Sequence, residues 1–101
     1  MLCIKELSEK IYEELDDAKW YAEKAIKYKD TDKQLGDTYI QISKEEMAHM
    51  NRLHDQVTRI IYDFRNSKGE PPKEMMALYE YEHNKIIERA AEVQYIINMY
   101  K

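Results

Sequence analysis

An all-α fold, a three-helix up-down-up domain, follows from three features of this chain. Its 101 residues include only two glycines and two prolines, so few positions resist helix. Apolar residues recur at three- and four-residue intervals over most of the length, the period of a helix face. The strongest turn-forming residues gather at two places only. A chain of this length builds one hydrophobic core rather than two, so residues 1–101 are read as a single helical domain.

The first helix is expected over about residues 4–29, where Ile4, Leu7, Ile11, Ala18, Tyr21, Ala25 and Tyr28 form an apolar stripe whose missing member is Glu14. It ends in the joint Lys29-Asp30-Thr31-Asp32-Lys33-Gln34. Thr31 followed by Gln34 has the spacing of a capping box, in which each side chain satisfies a backbone N–H at the start of the next helix. That second helix is expected over about 32–66, with Leu35, Tyr39, Ile42, Leu53, Val57, Ile60 and Phe64 as its stripe. Glu46 and His49 fall on the two unfilled steps. The segment Asn66-Ser67-Lys68-Gly69-Glu70-Pro71-Pro72 closes it, since glycine readily adopts a positive φ beyond a helix end and proline is tolerated where the next helix begins. The third helix is expected over about 72–100. Joints this short make successive helices antiparallel.

The polar interruptions carry the functional signal. A carboxylate buried without a cation or hydrogen-bond donors costs several kcal/mol, and no lysine or arginine occupies either stripe near Glu14, Glu46 or His49. A metal ion would compensate them. Glu14 lies about 17 positions before Thr31, and the midpoint of Glu46 and His49 about 17 after it. In an antiparallel hairpin they stand at one height at the helical rise of 1.5 Å per residue. A second Glu-x-x-His pair, Glu80 and His83 with Glu82 between them, starts only about 9 residues above the second joint. This puts it roughly 14 Å away along the bundle and makes it the weaker metal candidate. His54 leaves the apolar stripe and is expected at the surface. Trp20, Tyr12, Tyr95 and Tyr100 are candidates for an oligomer interface, where aromatics are enriched.

Glu14-Leu-Asp-Asp-Ala-Lys-Trp-Tyr21 followed by Glu45-Glu46-Met-Ala-His49-Met-Asn-Arg-Leu53 resembles the ferritin-like superfamily, which includes ferritins, bacterioferritins, rubrerythrins and encapsulated ferritins. The family's di-iron site takes one Glu from each of two helices and Glu-x-x-His from each of two others. The resemblance assigns Glu14 to the single-carboxylate role and Glu46 and His49 to the paired motif. It covers about the first two thirds of the chain. It implies an iron site, two ions per dimer, that oxidises ferrous iron; manganese or zinc would also suit the donors. The chain lacks a fourth helix and the long crossover of ferritins, so one hairpin offers half of the ligand set. Pairing of two chains, as in the encapsulated ferritins, would complete it in a homodimer or higher oligomer.

Other classes find little support. The formal charge is −4 with acids and lysines interleaved, a pattern of solvated faces that argues against nucleic-acid binding. No apolar run approaches the roughly 20 residues of a membrane span, and no secretion signal is visible, which leads to an expected cytoplasmic location. Cys3 is the single cysteine, so no internal disulfide or thiolate-rich metal site can form. The competing reading is a non-enzymatic acidic helical interaction protein, such as a regulator or a phage or mobile-element inhibitor that binds a protein partner.

Overall fold

Two short breaks divide the chain into α1 (Leu2–Tyr28), α2 (Lys33–Lys68) and α3 (Lys73–Met99) in the computed structural model, which describes residues 2–101. The order is up-down-up, as the joints imply. The molecule measures 56 × 18 × 18 Å, and its long dimension is about the length of α2 alone at 1.5 Å per residue. α3 lies mainly along α1 and touches α2 sparsely.

The joints act as the sequence implies, with one shift. Asp32, not Thr31, caps α2: its side chain accepts a hydrogen bond from the Leu35 N–H at 3.2 Å. The expected cap is therefore displaced by one residue, to an aspartate, which is preferred over threonine at this position. Gly69 ends α2 with φ +84° and ψ −165°, and its N–H bonds to the Arg65 carbonyl. That backbone region is essentially restricted to glycine. Pro72 stands at the N-cap of α3 and Pro71 is buried.

The core keeps Ile11, Ala18, Ala25 and Val57 of the expected stripes and shifts their other buried positions by one residue. On α1 the buried residues are Ile11, Leu15, Ala18, Ala22 and Ala25; on α2 they are Gly36, Ile40, Ser43, Met47, Met50, Val57 and Ile61. Leu15 thus takes the core place beside Glu14, and Met47 and Met50 take those beside Glu46 and His49. Each helix carries two overlapping stripes one residue apart, giving an apolar face wider than a single seam requires. α3 covers one flank. The other flank holds Leu7, Tyr21, Tyr28, Leu35, Tyr39, Ile42, Leu53, Ile60 and Phe64, all partly exposed.

Side-chain size sets how closely the helices approach. Near the first joint the seam is built from small residues: Ser43 Oγ donates to the Ala18 carbonyl at 2.7 Å, and a Cβ on Gly36 would lie 2.9 Å from Tyr100 Oη and 3.3 Å from the Ala25 carbonyl oxygen. Tyr100 closes this end by donating its hydroxyl to the Asp37 carboxylate within the same chain. Toward the second joint the small residues give way to Ile11, Met50, Val57 and Ile61. Along α1 and α3, Lys19 pairs with Glu92 at 2.7 Å and Asp16 with Arg89 at 3.7 Å. These exposed pairs fix register more than they add stability.

Candidate metal centre

Helical spacing and antiparallel register bring Glu14 from α1 and Glu46 and His49 from α2 together, with ligand-capable atoms all within 4.8 Å of one another. Residues three apart share a helix face, which places Glu46 beside His49. His49 Nδ1 is 3.5 Å from Glu14 Oε2 and 3.8 Å from Glu46 Oε1, too far for good hydrogen bonds. The cluster lies on the flank away from α3, at the border of core and solvent: the side chains of Glu14, Glu46 and His49 are 12%, 19% and 51% exposed. The expected burial of His49 inside the core is thus corrected. Its ring reaches outward because Met50 fills the seam.

The electrostatics of this group are unfavourable without a cation. Glu14 Oε2 is buried and has no hydrogen-bond partner. The capacity of the neighbouring Glu14 carboxyl to hydrogen-bond a protonated Glu46, then burial and the Glu14 charge, push the Glu46 carboxyl up to about 7, while His49 pulls it the other way. A proton held between two carboxylates is the expected response to like charges in close contact. The donor chemistry fits a divalent transition metal, which accepts carboxylate oxygen and imidazole nitrogen. Two donors each about 2.1 Å from a common ion stand roughly 3–3.5 Å apart, against 3.5 and 3.8 Å from His49 to the two carboxylates and 4.8 Å as the upper limit within the group. Three donors leave coordination positions open.

The other predicted ligands do not join this group. Glu80 is exposed, and Glu82 accepts the Tyr12 hydroxyl, which burial and this bond push up to about 12. The Tyr12 hydroxyl is thereby engaged within the chain. Trp20 and Tyr95 do remain exposed. His83 hydrogen-bonds His54, with His83 Nδ1 and His54 Nε2 2.9 Å apart and the rings stacked at a centroid distance of 4.9 Å. His54 is therefore partly buried, against the expectation of a surface position, and its burial lowers its pKa. The sequence held this signal: Met47, Met50, His54, Val57 and Ile61 form an unbroken 3-4 stripe, as do Tyr79, His83, Ile86, Ala90, Val93 and Ile97.

Next to the metal candidate, Trp20, Tyr21 and Tyr39 pack edge to face or tilted with centroids 5.2–6.0 Å apart. They continue the open flank toward the first joint. Among the described residues no helix is long and apolar enough to cross a membrane. The class defined by fold and site is a three-helix bundle with a Glu, Glu-x-x-His cluster on an uncovered hairpin flank. No family model, curated protein or solved structure matches the chain.

Proposed function

We propose that this protein is a ferritin-like di-metal protein whose centre forms where two copies pair through the open hairpin flank. The observation that carries the reading is the convergence of Glu14, Glu46 and His49, with the unpartnered oxygen of Glu14 buried at its heart. A two-fold pairing places the same patch on both partners, so the donors become two Glu14 carboxylates and two Glu46-His49 pairs. The partly exposed apolar residues around the cluster supply the contact surface. The carboxylates neutralise cationic charge, His49 contributes nitrogen, and Glu46 releases the proton it holds as the site loads. When bound, a pair of iron ions would supply electron transfer to oxygen or peroxide, chemistry that belongs to the metal; manganese or zinc are the alternative occupants.

Anaerobic titration of metal-free protein with ferrous iron, read by elemental analysis, tests this reading. The wild type is expected to retain iron stoichiometrically and Glu46→Ala/His49→Ala to retain none. Equal retention by both would refute the assignment. A second reading, a non-enzymatic interaction protein, draws on α3, which leaves Leu78, Tyr81, Ile87, Tyr95 and Met99 exposed. In that case Glu14, Glu46 and His49 can all be replaced by alanine without loss of partner binding.

A further inference from the structure

The wide end of the bundle encloses a feature independent of the metal candidate. Toward the second joint a partly open cavity of about 560 Å³ is lined by residues of all three helices, His54 and His83 among them. Its walls are mostly apolar, with Ile11, Val57, Ile61 and Ile86 at its back and Met75 and Met76 toward the second joint. The size falls within the range of pockets that hold small organic molecules, roughly 300–1,000 Å³. Methionine side chains can reshape around different occupants.

The polar groups define what could enter. Within the histidine pair one ring donates to the other, and whichever tautomer is present, the two remaining ring nitrogens comprise one donor and one acceptor. Such a pair can bond a hydroxyl or a carbonyl equally well. Charge selection is weak: Lys5 and Glu9, both exposed at the lining, oppose each other, and Glu82 is already engaged by Tyr12. Tyr79 stacks on His83 with centroids 5.6 Å apart, extending the wall as a series of flat rings. From this convergence we infer that the cavity is a binding site for an uncharged, largely apolar small molecule carrying one hydroxyl or carbonyl group, held by His54 and His83. The site lies on the α3 side of the hairpin and does not require metal or a second copy.

The test uses Nile red, an uncharged dye with a carbonyl group, and the full chain. Saturable one-to-one binding is expected, with displacement of the His54 and His83 imidazole resonances in nitrogen-15 spectra and no displacement of those of His49. Ile61→Trp, which fills the cavity, is expected to weaken binding at least about tenfold, or 1.4 kcal/mol, while Leu53→Glu on the open flank leaves it unchanged. If Ile61→Trp does not fold, the imidazole resonances of the wild type decide the matter. Absence of saturable binding, displacement of His49 in place of His54 and His83, or undiminished binding by folded Ile61→Trp would overturn the proposal. Equal or tighter binding of the anionic dye anilinonaphthalene sulfonate would overturn the assignment to an uncharged ligand.

Discussion

The two flanks of the α1–α2 hairpin carry polar groups of opposite condition. On the flank covered by α3, the polar side chains find partners within the chain: His54 bonds His83, Tyr12 bonds Glu82, and Tyr100 bonds Asp37. On the open flank, Glu14 and Glu46 crowd each other, Glu14 Oε2 lacks a hydrogen bond, and His49 stands 3.5–3.8 Å from both carboxylates. One flank pairs these polar groups within a single chain. The other leaves two carboxylates crowded together at a partly exposed apolar surface, where buried charge is costly unless it is paired or metal-bound.

The sharpest way to break this comparison is truncation on either side of the same helix pair. Ile11→Ala, at a fully buried position, is expected to cost about 2–5 kcal/mol through lost burial and a residual cavity. Leu53→Ser on the open flank should cost the metal-free, single-chain form only about 1 kcal/mol or less. Urea unfolding measures both, and equal losses would mean that Leu53 is held as tightly as Ile11.

Charge gives a second contrast, with a definite sign. The Glu46 pKa rises on folding from an ordinary 4.5 to about 7, so the folded chain binds the extra proton between those values. This contribution is fully present below 4.5 and is lost as pH rises through 7. Glu46→Gln should therefore stabilise the metal-free protein by roughly 1 kcal/mol at pH 8 and have little effect at pH 4. Parallel denaturation curves at the two pH values check it; a loss of stability at pH 8 would show that the Glu46 charge is already compensated.

The covered flank behaves in the opposite sense. Burial lowers the His54 pKa from 6.5, so its neutral form suits the fold, and the stability present above 6.5 declines as pH falls below that value. His54→Phe should remove this part of the acid sensitivity, an effect of about 1 kcal/mol or less. An unchanged acid limb in the variant would show that the histidine pair does not hold α3 in place.

Much of the fold was legible because the turn residues are so concentrated: Gly69 and the two prolines, with the Asp30–Asp32 turn, place both joints within a few residues. What the sequence obscured was rotation about the helix axis. The expected and observed stripes share Ile11 and Ala18, but Glu14 and Tyr21 compete with Leu15 and Ala22 for the same periodic reading, and a shift of one residue, 100° around a helix, separates core from flank. The Ser43–Ala18 contact decides between them, because only small residues permit that close approach, and pattern alone does not measure distance. The Glu14, Glu46 and His49 cluster survived the error, since residues one step from the seam still meet across an antiparallel pair. His54 was missed because it belongs to the stripe that was not chosen.

Whether two chains share one iron centre is read from the light-scattering mass of the protein, with and without ferrous iron, alongside the iron content of the same samples. The account predicts a two-chain particle holding two irons, with both pairing and iron lost in Glu46→Ala/His49→Ala. A single chain that binds iron stoichiometrically, or a dimer whose mass and iron content are unaffected by those substitutions, would contradict it.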